Sequence, residues 1–144
     1  MPEFRIVLHG SHEYDETIQL RYKILRQPLG LSFTSEQLAA ESADFHLAAY
    51  DNQTLIACLV LTPIDSAVVK MRQVAVDEGL QGRGIGRALV EFSEQVAREN
   101  GFRQMILSAR ETAVPFYLRL NYEVTGEPYE EVTIPHRKMM KSLE

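Results

Sequence analysis

Three alternating glycines, in Gln81-Gly82-Arg83-Gly84-Ile85-Gly86-Arg87, stand between a β-rich run ending at Val76 and a strongly patterned helix beginning at Ile85. No other segment restricts the fold as tightly. Glycine allows φ values closed to other residues and lets backbone approach a ligand closely. A helix start leaves its first N–H groups without intrahelical partners and carries partial positive charge. Together they form an anion site suited to phosphate or pyrophosphate, to which Arg83 and Arg87 add flexible positive charge. The helix is predicted to run from Ile85 to about Asn100. Ile85, Ala88, Leu89, Phe92 and Val96 make one apolar stripe, and Gly101 is the expected stop.

Two familiar phosphate motifs fit worse. Gly79 and Gly84 have the outer spacing of a P-loop, but Ile85 and Gly86 follow where Lys and Ser/Thr are required. The dinucleotide fingerprint fails because Arg87 occupies the place of its third glycine.

Around this segment the chain alternates helical and extended patterns. Phe4–Leu8 reads as a strand. A helix from Ser11 or His12 to about Gln27 carries Tyr14, Ile18, Tyr22 and Leu25 on one face. Pro28 and Gly30 end it, and Thr34–Ala40 is a shorter helix capped by Thr34 or Ser35. Asp44–Tyr50 and Leu55–Leu61 form a hairpin about Asp51-Asn52-Gln53, and Ala67–Val76 is a third β-rich run. Such short links require these three to be antiparallel. Beyond the glycine helix, Gln104–Ser108 is a strand that the crossover makes parallel to Val68–Val76. Thr112–Leu120 is a helix with Ala113, Phe116, Tyr117 and Leu120 on one face. Three short strands close the chain at Tyr122–Thr125, Glu131–Ile134 and Arg137–Lys141, with Gly126-Glu127-Pro128 and Pro135 as breaks. The pattern predicts one mixed α/β domain over residues 1–144.

Charge and composition narrow the partners. Net charge is -5 and the basic residues are scattered, which disfavours nucleic acid. The apolar run Leu55–Leu61 is far short of the ~20 residues that span a bilayer. With no signal peptide and one cysteine, the expected location is the cytoplasm. Cys58 lies in an apolar run and reads as core, and no cluster with metal-ligand spacing is present.

Gln81-x-x-Gly84-x-Gly86 resembles the Arg/Gln-x-x-Gly-x-Gly/Ala signature of the GNAT superfamily of N-acetyltransferases. Arg72–Asp77 is similar to that family's fourth strand. Ala113-Val114-Pro115-Phe116-Tyr117-Leu118-Arg119-Leu120-Asn121-Tyr122 resembles its Ala-x-x-Phe-Tyr-x-x-x-Gly-Phe/Tyr segment. The resemblance implies a six- or seven-stranded, mixed, twisted sheet with parallel, splayed central strands and about four helices on both faces. It departs from the family at Arg110, where many members carry Asn, and at Asn121, where Gly is usual.

The resemblance further implies acetyl-CoA as cosubstrate and a primary amine of a small molecule or peptide as acceptor, with homodimers common. Its pantetheine arm lies on backbone groups of Val74, Ala75 and Val76, and its pyrophosphate on the amides of Gln81, Gly82, Arg83, Gly84, Ile85, Gly86 and Arg87. Tyr117 is the implied acid: its ordinary pKa of about 10 lies above a thiol's ~8.5 and keeps it protonated at neutral pH, so it holds a proton to give to the leaving sulfur. Glu41 and Asp44, ahead of the second strand, and His136 are candidate bases, while His46 reads as structural. An alternative is a catalytically weak acyl-CoA-binding sensor of the same fold.

Overall fold

The structure is a computed structural model that describes residues 2–144. In chain order the elements are β1 (Glu3–Val7), α1 (His12–Arg21), α2 (Ser35–Ala39), β2 (Phe45–Asp51), β3 (Thr54–Pro63), β4 (Val68–Val76), α3 (Ile85–Glu99), β5 (Gln104–Arg110), α4 (Val114–Leu118), β6 (Glu123–Glu131) and β7 (Ile134–Ser142). Seven strands form one sheet in the order β1-β2-β3-β4-β5-β7-β6. This is the mixed α/β architecture expected. The chain divides into two compact units: residues up to Thr62 with Gln73–Ser93, and Pro63–Arg72 with Glu94–Glu144.

In the first unit β1 and β3 both pair antiparallel with β2. Asn52 and Gln53 join β2 to β3 at φ 50° and 68°, the left-handed pair that matches strand twist in a two-residue hairpin. The consecutive residues His46–Tyr50 of β2 and Ile56–Leu61 of β3 are all buried, so both faces of these strands are covered along their middles. Ser11 caps α1 by accepting from the Tyr14 N–H at 3.1 Å. At α2, Thr34 and Gln37 exchange side-chain-to-backbone bonds of 3.1 and 3.0 Å as a capping box.

The predicted face of α1 needs correction. Tyr14 is buried, but so are Thr17, Leu20 and Arg21, whereas Tyr22 is exposed. Tyr22–Arg26 forms a π-helical turn, closed by the Gln27 N–H on the Tyr22 carbonyl. A π turn alters the angular step per residue, so a 3.6-residue period fails there. Arg21 can be buried because Glu41 neutralises it.

In the second unit Val68–Met71 of β4 pairs in parallel with Gln104–Leu107 of β5, as the crossover required. The ladder stops at Met71–Leu107, although β4 continues to Val76 and β5 to Arg110. Helix α3 ends at Gly101, φ 86°, with the Phe102 N–H bonded to the Ala97 carbonyl at 3.0 Å. Glu94 of α3 is buried and accepts from the Tyr122 hydroxyl at 2.8 Å and the Lys141 ammonium at 2.9 Å.

The closing strands also differ from expectation. β6 and β7 are two long strands rather than three short ones, turning at Val132 and Thr133 with φ 51° and 61°. Gly126-Glu127-Pro128 does not break β6; it makes an irregularity between Thr125 and Tyr129 on an edge strand, where proline is tolerated. Pro135 pairs with Glu130 of β6 but lies past the end of the β5 ladder at Arg110–His136, so its missing N–H deprives β5 of nothing.

Candidate active site

The glycine loop is held at both ends. The Asp77 N–H donates to the Ile56 carbonyl at 2.9 Å, and its carboxylate accepts from the Gly79 N–H at 3.3 Å. The Gln81 side-chain amide donates to the Val76 carbonyl at 3.1 Å, tying the loop to the end of β4. Gly82 and Gly84 have φ 82° and 81°, and a Cβ at either would meet nothing within 4 Å. Glycine is therefore required there by backbone conformation, not by space. The Gly84 carbonyl accepts the first helical bond, from the Ala88 N–H at 3.0 Å. The N–H groups of Ile85, Gly86 and Arg87 consequently have no acceptor within the helix. Gln81, Gly82, Arg83, Gly84 and Arg87 are exposed. The Arg87–Glu91 contact, 3.7 Å between exposed side chains, is too weak to hold Arg87 back. This arrangement fits a pyrophosphate.

One residue of β4 escaped the sequence reading. Gln73 has φ 56°, a left-handed conformation within a strand, and its buried Oε1 has no hydrogen-bond partner among the described residues. Such an interruption re-aims the backbone that follows it, here Val74, Ala75 and Val76. Nothing in Arg72-Gln73-Val74 signals it, because only tertiary packing compels a glutamine into that conformation.

Tyr117 sits on α4 and is buried, with ring centroids 5.0 Å from Phe116 and 5.7 Å from Tyr122. Burial pushes its hydroxyl pKa up to about 12. No described residue hydrogen-bonds to that hydroxyl, whereas the neighbouring Tyr122 hydroxyl is committed to Glu94. Asn121 takes φ 73° after α4, the left-handed stop that a glycine would make.

Glu41 is poorly placed to act as a base. Its carboxylate is buried, accepts from both terminal nitrogens of Arg21 at 2.9 and 2.5 Å, and accepts the Tyr14 hydroxyl at 2.8 Å. Burial raises its pKa, but the Arg21 hydrogen bonds and charge and the Tyr14 bond outweigh it and hold the carboxyl below its usual range. Asp44 is half-buried, and its N–H donates to the Glu41 carbonyl at 3.1 Å. His46 is buried with Nε2 2.9 Å from that same carbonyl; burial lowers its pKa, and its Nδ1 has no hydrogen-bond partner among the described residues.

His136, on β7, is buried with Nδ1 2.7 Å from the Ile134 carbonyl. A carbonyl only accepts, so Nδ1 carries a proton, and in the neutral ring the lone pair is on Nε2. The Glu131 carboxylate lies 3.6 Å from Nε2, in reach to stabilise a protonated ring. The loop, Val74–Val76, Glu41 and Asp44 belong to the first unit; Tyr117 and His136 belong to the second. Burial pushes the Cys58 thiol up to about 12, as for an inert core cysteine. No helix among the described residues is long and apolar enough to cross a membrane.

A glycine cradle thus stands at a helix start, after a strand whose parallel ladder ends before the strand does. The profile of the Acetyltransferase (GNAT) family matches residues 12–122, and the chain belongs to that family. Its family reaction is acyl-CoA-dependent N-acetylation. The chain is 24% identical over 136 residues to the uncharacterized N-acetyltransferase YitI of Bacillus subtilis (strain 168), covering 90% of this chain and 91% of that one. The fold is similar to that of an acyl-CoA N-acyltransferase from Pseudomonas aeruginosa, with a TM-score of 0.83 and 22% identity over 98% of this chain and 99% of that one. It is also similar to an aminoglycoside 6'-N-acetyltransferase complexed with coenzyme A, with a TM-score of 0.84 and 15% identity over 99% and 97%.

Proposed function

We propose that residues 1–144 act as a single catalytic domain that moves an acetyl group from acetyl-CoA to a primary amine of a small molecule or peptide. The observation that carries this reading is the cradle at Gly82 and Gly84, whose positive φ values lead into the helix-start amides of Ile85, Gly86 and Arg87, beside the exposed Arg83 and Arg87 side chains. These amides hold the pyrophosphate, and the backbone of Val74–Val76 lines the thioester arm. The thioester supplies an electrophilic carbonyl and a thiol leaving group. A C–N bond forms and the C–S bond breaks. His136 Nε2, with its lone pair free, takes the ammonium proton. A strand amide, of Val74 or Val76, donates to the developing oxyanion. Tyr117 delivers its proton to the departing sulfur and is reprotonated, through solvent, as the new amide nitrogen sheds its second proton; His136 returns the first to solvent. Glu41 serves the fold, because its lone pairs are already occupied by Arg21 and Tyr14.

The test is thiol release from acetyl-CoA with a broad amine panel. Tyr117→Phe is expected to lower kcat by about 100-fold, with KM for acetyl-CoA little changed. Because burial holds the hydroxyl near 12, the parent should show no alkaline loss of this acid below about pH 11. Full activity in the Phe variant would remove Tyr117 from the mechanism. His136→Gln is expected to cost about 10- to 100-fold in kcat/KM at neutral pH. That deficit should shrink at higher pH, where the amine deprotonates unaided; a pH-independent deficit would count against the base role.

A further inference from the structure

The β5–β7–β6 part of the sheet has two dissimilar faces. Met105, Leu107, Ala109 and Met139 are buried on one. On the other, Arg110 pairs with His136 and His136 with Tyr129, while Ser108 pairs with Lys138 one level along. Direct cross-strand neighbours lie about 5 Å apart at Cβ and diagonal ones about 7–8 Å, so Arg110, His136 and Lys138 form one group. Lys70 stands on the same face further along, level with Ile106. The carboxylates there are Glu131, beside His136, and Glu123 at the far end, beside Met140. A chain of net charge -5 thus presents a locally cationic face.

Arg110 is the informative member. It is half-buried, and among the described residues its guanidinium has no hydrogen bond or ion pair. A partly desolvated guanidinium without an acceptor is unfavourable, and its planar fork suits the two oxygens of a carboxylate or phosphate. Lys138 lies 5.7 Å above the Tyr129 ring and adds charge without occupying Arg110.

We propose that this face reads an anionic group on the acceptor: the enzyme acetylates amines that also bear a carboxylate or a phosphate, with Arg110 gripping the oxyanion while the amine lies at His136. The inference rests on the acetyl-transfer reading above and names its acceptor class. Overall charge suggests the opposite preference, for cationic amines, because it averages over surfaces that never meet the acceptor.

The experiment compares kcat/KM for amino acids and their amides, and for aminoalkyl phosphates and the matching amino alcohols, in the parent, Arg110→Ala and Lys138→Ala. The parent is expected to favour anionic members by about tenfold or more, as a charge-assisted bidentate contact would give. The preference should weaken as salt is raised. In Arg110→Ala the ratio should collapse toward one, with acetyl-CoA affinity and melting temperature retained. The carboxylate and phosphate arms decide which anion is read. A parent that prefers neutral or cationic amines, or a preference that survives in Arg110→Ala, overturns the proposal. If no amine is turned over, calorimetric titration of the same compounds into the CoA-saturated parent decides: anionic amines that fail to bind overturn this inference, whereas failure of CoA itself to bind overturns the acetyl-transfer reading.

Discussion

Gly84→Glu is expected to weaken binding of acetyl-CoA and CoA by ~100-fold or more, the largest functional effect anticipated for a single substitution here. Gly84 stands at φ 81° and its carbonyl accepts the first bond of α3. A glutamate there places a negative charge against the helix end that is to receive the pyrophosphate, converting attraction to repulsion. It also forces an L side chain into a left-handed conformation, which costs roughly 1–2 kcal/mol of stability. Gly84→Ala imposes the same strain without the charge, so it should lose stability similarly but binding much less. Calorimetric titration of both variants, with melting curves, separates the two causes. A folded Gly84→Glu protein that binds CoA as the parent does would remove the pyrophosphate from this loop.

The largest effect on stability is expected at the Arg21–Glu41 pair. Both side chains are almost fully buried and joined by two hydrogen bonds. Removing one partner leaves the other charged and unpaired in the interior, which costs about 3–5 kcal/mol. Arg21→Ala or Glu41→Ala should therefore lower the melting temperature on the order of 10 °C. Replacing both with methionine should recover much of that loss, since two apolar side chains strand no charge. Recovery no better than either single variant would show that the loss is one of shape rather than charge.

The same pair sets an acid limit. The folded-state pKa of Glu41 lies below its unfolded value. Its stabilisation is thus fully present above the ordinary carboxylate pKa and is lost as pH falls through the depressed folded value. Melting temperature measured from pH 6 downward should decline more steeply in the parent than in the double methionine variant.

Local and repetitive features were legible in the sequence. The stripe of α3, the Asn52–Gln53 hairpin, the Thr34 cap and the Gly101 stop each depend on a few adjacent residues, and adjacent residues are what a sequence displays. Yet the buried side of α3 also includes Val90, Ser93, Glu94 and Ala97. Ser93 bonds the Val90 carbonyl at 2.6 Å, and Glu94 is matched by Tyr122 and Lys141. Polarity misleads wherever the compensating partner comes from a distant segment.

The site divides in the same way. The glycine spacing after a strand and before a patterned helix marked an anion site, because backbone freedom and helix-end charge are properties of short stretches, and with the Phe116-Tyr117 segment downstream it carried the resemblance that pointed to the family and the class of reaction. Only the tertiary structure decided which titratable groups are available. It locked Glu41 to an arginine twenty positions away in the chain, oriented His136 through the Ile134 carbonyl, left the Tyr117 hydroxyl without a partner among the described residues and set Arg110 beside His136. Proton affinity and charge pairing depend on what lies within a few ångströms in space, and strand register, not sequence distance, brings those neighbours together.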